Sequence, residues 1–428
     1  MAVNTKTLLS YAIVIFVVAA ISVAGTYYYV TTVYTPPGEY GGTVLKAAWI
    51  YVGPVGDVGW THAHDQGRLY VDNKFPWLET LGVESVDAAD LRSVIDSLVA
   101  KGYKLIFTTS FDFMQGTYEA AEAYPDVIFF HCSGYMRRPN MGTYFAEFYQ
   151  LYYLNGLMAG ALTKTGKLGY IAAHFIPEVV RHINAFAIGA NEIAKYLGKN
   201  VTIYVRKIGE WYAPDTAKAI AKDLVENYDV DTLAFTEDSA ATVQYAEEYY
   251  ETTENQIYVF SHYSPMYEYG PNVTVSGQLV HWEKIYEDIV TKVRLGVYNT
   301  TNLENVDYWW MLKEGAVELG ADFGMPINPK FLDDLKAIKF TPDEKLKAEL
   351  EACNMTDRID EDGKISVYDL IELRLAQMKE EVPTFDPFTG PIYDNEGNLR
   401  VPEGVRMNRE QLWTINWFVE NVVVQTTS

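Results

Sequence analysis

The chain is 428 residues long and acidic, with a formal net charge of -23 at pH 7. A surface with this charge repels phosphate backbones, so the composition argues against nucleic acid as a partner. Hydrophobic residues make up 49% of the chain, enough for a sizeable core, and the length favours two or three folding units. Cys132 and Cys353 are the only cysteines. They are too few for a zinc ribbon or an iron–sulfur site, although they could pair outside the cell.

The N-terminal segment carries one long apolar run. Lys6 precedes 23 residues, from Leu8 to Val30, that contain no charged side chain. As a helix this run would measure about 34 Å, enough to cross a hydrocarbon core of about 30 Å. We therefore predict a transmembrane anchor over residues 1–33, with the bulk of the chain on the extracytoplasmic side because the positive charge favours the cytoplasm. A signal peptide cleaved near Ala24 is the alternative.

The sequence after the apolar run agrees with export. Residues 34–43 are rich in Pro and Gly, and we predict a linker there. No cysteine follows the run, so a lipid-modified cysteine is not expected as the anchor. Four N-x-[ST] sequons predict glycosylation of an exported chain. They begin at Asn200, Asn272, Asn299 and Asn354.

Short apolar runs alternate with longer amphipathic runs from Val44 onward. The first series has predicted strands at 44–52, 83–86, 104–109 and 126–130, with helices near 62–75, 88–101 and 115–124. The second series has predicted strands at 167–173, 200–206, 231–236, 256–260 and 273–280, with helices near 178–197, 214–227 and 241–251. Apolar strands alternating with helices are typical of parallel sheets covered on both faces, so the two series predict two doubly wound α/β lobes.

The last part of the chain, residues 341–428, has a different pattern. Helices are predicted near 342–353, 367–380 and 408–423, around a Pro-rich segment at 382–391. Proline does not continue a helix, so the Pro-rich segment separates the second helix from the third. We expect this part to be an extension packed on the lobes.

The loops that follow the predicted strands are expected to carry the binding site, because open α/β sheets bind ligands outside the carboxyl ends of their strands. After the first strand, Asp57 and Thr61 could each accept a hydrogen bond from a polar ligand or cap the next helix. Trp60 offers a flat face for stacking on a ligand or for packing in the core. His64 is either a ligand contact or a structural histidine, and a metal site with His62 lacks a clear third ligand.

Later loops repeat the combination of rings and acids. Phe111 and Asp112 follow the predicted strand at 104–109, and Trp211 and Tyr263 are further stacking candidates. Each of these rings could instead pack in the core. The loops contain no nucleophile elbow, P-loop or Rossmann glycine pattern, so we predict that the chain is not an enzyme. An extracellular nucleoside hydrolase is the enzymatic alternative, and it would need carboxylates and a metal or acid at one reacting atom.

The stretch from Arg358 to Asp369 is close to a calcium-binding loop. Gly363 occupies the turn position, and Asp360, Asp362 and Asp369 fall at the third, fifth and twelfth positions. The first position holds Arg358, where a carboxylate is needed. Bound Ca²⁺ and a solvated acidic turn between two helices both fit this pattern. No other cofactor is predicted.

Five segments along the chain form a recognisable combination. They are GPVGDVGWTHAHDQGR at 53–68, the stretch 104–135, the stretch 144–191, EDSAATVQYAEE at 237–248 and FTGPIYDNEGNLRVPEG at 388–404. In this order, and over most of the chain from Val44 to the end, the combination resembles the basic membrane protein family of solute-binding proteins, which serve ABC transporters. The N-terminal anchor and the calcium-like stretch lie outside the family core.

The resemblance implies a type I periplasmic-binding-protein fold, in which two lobes joined by a three-segment hinge close on a ligand. Lobe 1 is then expected over 44–160 with part of 282–310. Lobe 2 is expected over 161–281 with part of 311–340. Residues 341–428 are left as the C-terminal extension.

The resemblance also implies which side chains touch the ligand. They are Asp57, Trp60 and Thr61 on the first loop, Phe111 and Asp112 on the next, and Asp238 and Ser239 from the second lobe. Characterised family members bind purine nucleosides or nucleobases, and some bind riboflavin. We therefore expect an extracytoplasmic protein that captures a purine nucleoside or base and delivers it to an ABC-transporter permease. The alternatives are another heteroaromatic solute such as riboflavin, or an extracellular ligand-sensing or surface protein.

Overall fold

The computed structural model describes residues 44–425. The predicted anchor at 1–33 and the linker at 34–43 lie outside the described residues. Within the described part, every helix is too short or too polar to span a bilayer.

The first half of the described chain alternates strands with helices, as the apolar runs predict. The strands are β1 (Leu45–Ile50), β2 (Leu78–Val83), β3 (Leu105–Thr108), β4 (Ile128–Cys132) and β5 (Met141–Tyr144). The helices are α1 (Trp60–Lys74), α2 (Leu91–Ala100), α3 (Met114–Ala123) and α4 (Tyr149–Leu162). Strands β3, β4 and β5 are buried along their whole length, because helices or other chain segments cover both faces of a parallel sheet.

The second half repeats the alternation. The strands are β6 (Lys167–Ala172), β7 (Thr202–Lys207), β8 (Thr232–Phe235), β9 (Tyr258–Tyr263), β10 (Thr274–Val280) and β11 (Val317–Leu319). The helices are α5 (Pro177–Tyr196), α6 (Pro214–Tyr228), α7 (Ala241–Thr253) and α8 (Trp282–Arg294). Helix α5 carries Pro at its first turn, where the missing N–H leaves no hydrogen bond unmade.

The rest of the chain contains short elements. They are α9 (Pro329–Ala337), β12 (Lys339–Phe340), α10 (Glu344–Ala352), β13 (Ile365–Ser366), α11 (Val367–Lys379), β14 (Ile392–Tyr393), β15 (Leu399–Val401), α12 (Arg409–Trp413) and β16 (Val422–Gln425). Helix α11 begins with a capping box in which Ser366 and Asp369 satisfy each other's backbone N–H groups. Helices α11 and α12 of this part contact α4 and α5 of the lobes.

The strands form two main sheets. The first has the order β2-β1-β3-β4-β5 and is parallel throughout. The second has the order β11-β10-β9-β8-β6-β7-β16, and only β11 runs antiparallel to its neighbour. In both sheets the strand order reverses direction along the chain, which is the arrangement of a doubly wound fold. The prediction of two parallel-sheet α/β lobes is confirmed.

The described chain passes between the two sheets three times. The first passage is the segment from β5 through α4 to β6. The second is from β10 to α8, which packs on α1 beside the first sheet. The third follows a stretch in which Asp307 and Trp310 bridge to Thr143 and Ala146, after which the chain returns to the second sheet at β11.

Some predicted elements are wrong. The strand predicted at 83–86 is β2, which ends at Val83 and lies at the edge of its sheet. An edge strand that is only half-buried does not form a continuous apolar run, so the sequence pattern misplaces it. The helix predicted at 408–423 ends at Trp413, and its remainder leads into β16, which pairs in parallel with β7. Cys132 and Cys353 are both free and form no disulfide.

Candidate ligand-binding cleft

A small cavity lies where the carboxyl ends of the strands of the two sheets face each other. Eight of the nine lining residues follow strands, as expected for an open α/β sheet, and the ninth, Tyr263, is the last residue of β9. They are Val52, Trp60, Ser110, Phe111 and Ser133 from the first lobe, and Glu178, Trp211, Asp238 and Tyr263 from the second. The volume open to the centre of a water-sized sphere is about 10 Å³, which is roughly the room for one water molecule. The two rims are therefore closed on each other, and a solute can enter only if the lobes separate.

Asp57 organises the first rim. Its carboxylate accepts hydrogen bonds from the backbone N–H groups of Gly59 at 2.8 Å, Thr61 at 2.9 Å and His62 at 2.9 Å. These N–H groups lie at the start of helix α1, so the carboxylate of Asp57 caps the N-terminus of that helix. Burial raises the pKa of Asp57, and the three backbone hydrogen bonds oppose that rise. The hydrogen bonds hold the backbone on both sides of Trp60, and they therefore position its side chain.

Two aromatic rings from opposite lobes meet in the cleft. The ring of Trp60 has its centroid 4.7 Å from that of Tyr263, and its indole Nε1 donates to the backbone oxygen of Thr109 at 2.6 Å. The hydroxyl of Tyr263 donates to Glu178 Oε1 at 3.1 Å. Tyr263 has a φ of 61°, which a residue with a bulky side chain adopts only under tertiary constraint. A hydrogen bond thus holds each ring in place, and the ring faces that touch each other would become free if the lobes parted.

Hydrogen bonds join the two rims directly. Trp211 of the second lobe donates from its indole Nε1 to Asp112 Oδ2 of the first at 2.9 Å. Ser264 Oγ of the second lobe donates to the backbone oxygen of Gly59 at 3.0 Å. The backbones also approach closely, because a Cβ atom at Gly59 would lie 2.9 Å from the Cα of Asp238. These contacts exist only when the lobes are closed.

The second rim is rich in buried carboxylates. Glu237 accepts from the N–H of Ala213 at 2.8 Å and from the hydroxyl of Ser239 at 2.7 Å. Asp238 is 2% exposed, and its Oδ1 has no hydrogen-bond partner among the described residues. Burial, together with the negative charges of Asp57, Glu237 and Glu178, raises the pKa of Asp238 well above its usual range. Burial also raises the pKa values of Glu178 and Glu237.

The predicted site residues differ in where they lie relative to the cavity. Trp60, Phe111, Trp211, Asp238 and Tyr263 line the cavity. Asp112 lies at the rim, while Asp57, Thr61 and Ser239 are buried just behind the lining loops. His64 is in neither place, because its ring stacks on Trp282 with centroids 4.1 Å apart and its Nδ1 hydrogen bonds to the hydroxyl of Tyr286. Burial lowers the pKa of His64, so this ring is a neutral part of the first lobe's core.

The sequence reasoning missed four lining residues. They are Val52, Ser110, Ser133 and Glu178. Ser133 directly follows β4, and Glu178 lies in the first turn of the helix that follows β6, so the rule that sites lie after strands could have found both. Glu178 was overlooked because it belongs to the first turn of α5 and has no aromatic neighbour in sequence.

The carboxylates of the calcium-like stretch have protein partners in this structure. Asp369 Oδ2 accepts from the backbone N–H and hydroxyl of Ser366, and its Oδ1 accepts from Arg358 at 3.2 Å. Asp360 Oδ2 accepts from Lys339 at 2.7 Å, and its Oδ1 accepts from the N–H of Asp362 at 3.0 Å. Within residues 44–425, no group of three or more His, Cys, Asp or Glu side chains is placed to hold a metal ion. The calcium site stays a prediction, and a bound ion would have to displace these partners.

The four sequons differ in how free their side chains are. Asn200 and Asn354 are exposed. Asn272 is half-buried and donates from Nδ2 to Glu247 Oε1 at 2.6 Å, and Asn299 accepts from the N–H of Thr301 at 2.9 Å. Glycosylation stays a prediction at all four, and at Asn272 it would disrupt an existing hydrogen bond.

Comparison with known proteins places this cleft in context. The family model Bmp, described as ABC transporter substrate-binding protein PnrA-like, matches residues 44–355. A purine-binding protein of Brucella abortus is 32% identical over 88% of this chain and 93% of its own length. A protein of Haloferax volcanii described as a candidate ABC transporter glucose-binding protein is 32% identical over 73% of this chain and 75% of its own length.

Solved structures support the fold. A solute-binding protein of an Aeropyrum pernix ABC transporter system aligns with a TM-score of 0.59 at 16% identity, covering 78% of this chain and 86% of that one. A second, from Conexibacter woesei, aligns with a TM-score of 0.51 at 18% identity, covering 73% of this chain and 97% of that one. The two lobes with their parallel sheets have the α/β fold of periplasmic binding proteins, as the resemblance implied.

Proposed function

Since the chain belongs to the Bmp family of PnrA-like ABC transporter substrate-binding proteins, we propose that it captures a purine nucleoside or nucleobase in the cleft between its lobes. The family consists of solute-binding proteins and not of enzymes, so the prediction of no catalytic activity is confirmed. The relative named as purine-binding supports a purine solute for this chain, since the two sequences align over most of both lengths.

The juxtaposition of Trp60 and Tyr263 is the observation that carries the proposal. Their rings come from opposite lobes and lie 4.7 Å apart by centroid in the closed form. The two ring planes are inclined by 59° in the closed form, so a planar heterocycle that enters when the lobes part would stack on one ring and contact the other at an angle as the lobes close. Stacking of a nucleobase on an aromatic side chain contributes about 1–3 kcal/mol. Asp238 and Glu178 line the same cavity, so they can accept hydrogen bonds from N–H groups at the edge of the inserted base.

The protein would act by coupling this capture to transport. A solute that binds the closed form more tightly than the open form shifts the population toward closure. The closed surface would then be recognised by an ABC-transporter permease. The N-terminal apolar run would hold the protein at the extracytoplasmic face of the membrane, or would direct its secretion if cleaved.

Glucose is a second candidate solute. The relative from Haloferax volcanii is described as a candidate glucose-binding protein. The cleft also offers what a sugar requires, because carboxylates such as Asp238 accept hydrogen bonds from hydroxyl groups and an indole face packs on a sugar ring. Riboflavin and a sensing or surface role lack a comparable observation.

Titration calorimetry tests the choice. The purified full chain is titrated with adenine, hypoxanthine, adenosine and inosine, and separately with riboflavin and glucose. We expect at least one purine to bind, and Trp60→Ala to weaken that binding by about tenfold or more because a stacking face is lost. Trp77→Ala is the matched control, since Trp77 packs on Phe75 away from the cleft. Binding of glucose with no heat from any purine would refute the purine assignment.

A further inference from the structure

The cleft concentrates buried carboxyl groups. Glu178 and Asp238 line the cavity, and Asp57 and Glu237 lie behind them. All four side chains are at most 3% exposed. Within the described residues, no lysine, arginine or histidine lines the cavity. Buried carboxylates in proteins are normally paired with cations or satisfied by hydrogen bonds, because removing a charge from water is costly.

The nearest cations are already engaged elsewhere. Arg181 and His182, on the same helix as Glu178, both bind Glu147, at 2.6 Å from Arg181 Nη2 to Oε2 and at 3.0 Å from His182 Nε2 to Oε1. The guanidinium of Arg181 also lies over the rings of Trp309 and Trp413. These groups are bound to Glu147 in the segment between β5 and α4. Their charges oppose the rise in the pKa of Glu178, but burial still raises it.

Asp57 and Glu237 are satisfied by hydrogen bonds, but Asp238 is only partly so. Asp57 accepts three backbone N–H groups and Glu237 accepts from Ala213 and Ser239. Asp238 lines the cavity and interacts with the backbone N–H of Trp60, and its buried Oδ1 has no partner among the described residues. An acceptor left in this state is a position at which a ligand donor or charge is missing.

The aromatic part of the lining favours the same kind of ligand. Four of the nine lining residues are Trp60, Phe111, Trp211 and Tyr263. The faces of aromatic rings attract cations, and rings combined with carboxylates form the usual cage for organic ammonium and heteroaromatic cations. A neutral base or a sugar would satisfy the hydrogen bond of Asp238 but would bring no positive charge to the four carboxyl groups, whose ionisation burial opposes.

Building on the proposed function, we infer that the cleft selects a planar heteroaromatic solute that carries a positive charge, with the charged edge directed at Asp238 and Glu178. The proposed function names the ring system, and this inference adds the charge of the solute. Closing the lobes on a cation would favour the ionised form of carboxyl groups that burial otherwise makes harder to ionise, so closure itself would discriminate against neutral analogues.

Two pairs of probes, each nearly matched in size, separate charge from shape. The first pair is 1-methyladenosine, a cation at neutral pH, and N6-methyladenosine, its neutral isomer. The second pair is N1-methylnicotinamide, a cation, and 6-methylnicotinamide, which is neutral and differs by only one hydrogen. The purified full chain is titrated with all four by calorimetry at neutral pH. We expect the cation of at least one pair to bind about tenfold tighter than its neutral partner.

The outcomes distinguish the charge of the solute from its ring system. Equal or tighter binding of the neutral member in every pair that binds overturns the inference and leaves the purine function standing. A cation preference in the nicotinamide pair, with neither nucleoside bound, supports the inference, and the titrations with adenine, hypoxanthine, adenosine and inosine then decide the purine assignment. Absence of binding by all four probes overturns the inference, and the purine assignment again depends on the unmodified purines.

Variants of the carboxylates test where the preference arises. Asp238→Asn keeps the shape of the side chain and removes its charge, so the ratio of cation to neutral affinity should fall about tenfold. Glu178→Gln is the second variant, in case the first does not fold. Glu251→Gln, at an exposed position, changes the net charge equally and should leave the ratio as it is. An unchanged ratio in a folded Asp238→Asn or Glu178→Gln protein contradicts the assignment.

Discussion

Trp211 and Asp112 form the one side-chain to side-chain hydrogen bond that we find across the cleft rims in the described residues. Trp211→Phe keeps an aromatic face and removes the Nε1 donor, so it should destabilise the closed form by about 1 kcal/mol, since the pair is partly exposed to water. Solute affinity should therefore fall about fivefold in calorimetry. Tyr212→Phe, at the exposed neighbouring ring, should bind like the unaltered protein. Equal affinities for the two variants would show that the indole hydrogen bond does not contribute to closure.

Glu147 is a second residue whose environment makes a strong prediction. It is fully buried with Arg181 and His182. Although burial alone would raise the pKa of Glu147, the charge of Arg181 and the hydrogen bond from His182 lower it to about 2. Removing one partner of a buried ion pair costs about 3–5 kcal/mol. We therefore expect Glu147→Gln to lower the free energy of unfolding by that amount at neutral pH, measured by urea denaturation.

The pH dependence of that effect has a definite sign. The folded-state pKa of Glu147 is lowered from 4.5 to about 2, so its stabilisation is complete above the unfolded value and is lost as the pH falls through the folded one. The difference between the unaltered protein and Glu147→Gln should shrink over the same acidic range. Glu248→Gln is the control, because its pair with Lys218 is exposed and contributes less than about 1 kcal/mol. A difference that is constant with pH would contradict the assigned ion pair.

At the scale of elements, the sequence predicted strands best where both faces of a sheet are buried. Strands β3 and β9 are apolar runs because each of their residues is covered. The pattern failed at β2, a half-exposed edge strand, and at β5, whose four residues include Gly142. Helix α4 was missed because all of its residues are buried, so it has no polar face to reveal the helical period.

Strand β16 shows how tertiary contacts decide an element that local pattern leaves open. Its Val422 is buried and Val423 is 44% exposed at the far edge of the second sheet, beside β7. Val422→Ala should lower the free energy of unfolding by about 2 kcal/mol, through lost burial and a small cavity. Val423→Ala, which deletes the same atoms one residue away, should change it by less than about 0.5 kcal/mol. Equal effects in urea denaturation would mean that the strand does not pack on the lobe in this register.

At the scale of the whole molecule, the sequence predicted a site at the strand ends, and the structure has a cavity there, but the sequence could not assign each side chain a role. Trp60 and Tyr263 are more than two hundred positions apart in the chain, and only the closure of the lobes brings their rings together. Asp57 offered a ligand contact or a helix cap, and the structure shows the cap. His64 packs in the core against α8. The sequence could not show this, because α8 lies far from His64 along the chain. Such outcomes depend on long-range packing that local spacing does not encode.

Gly59 and Asp238 approach so closely in the closed form that adding one methyl group at Gly59 tests whether the lobes move. A Cβ at Gly59 would lie 2.9 Å from the Cα and 3.2 Å from the Cβ of Asp238. Because backbone atoms cannot rotate away as a side chain can, Gly59→Ala should disfavour closure by about 1–3 kcal/mol. The open form has no such contact. Solute affinity should then fall roughly tenfold to a hundredfold.

Scattering separates this effect from local damage. Small-angle X-ray scattering should show the unaltered protein contracting when solute is added, while Gly59→Ala stays expanded at the same solute concentration. Gly56→Ala is the matched control, since a Cβ there meets no atom within 4 Å and it lies in the same loop. If Gly59→Ala contracted and bound solute as Gly56→Ala does, the rims would not approach each other in the bound state as they do in this structure, and capture by lobe closure would have to be abandoned.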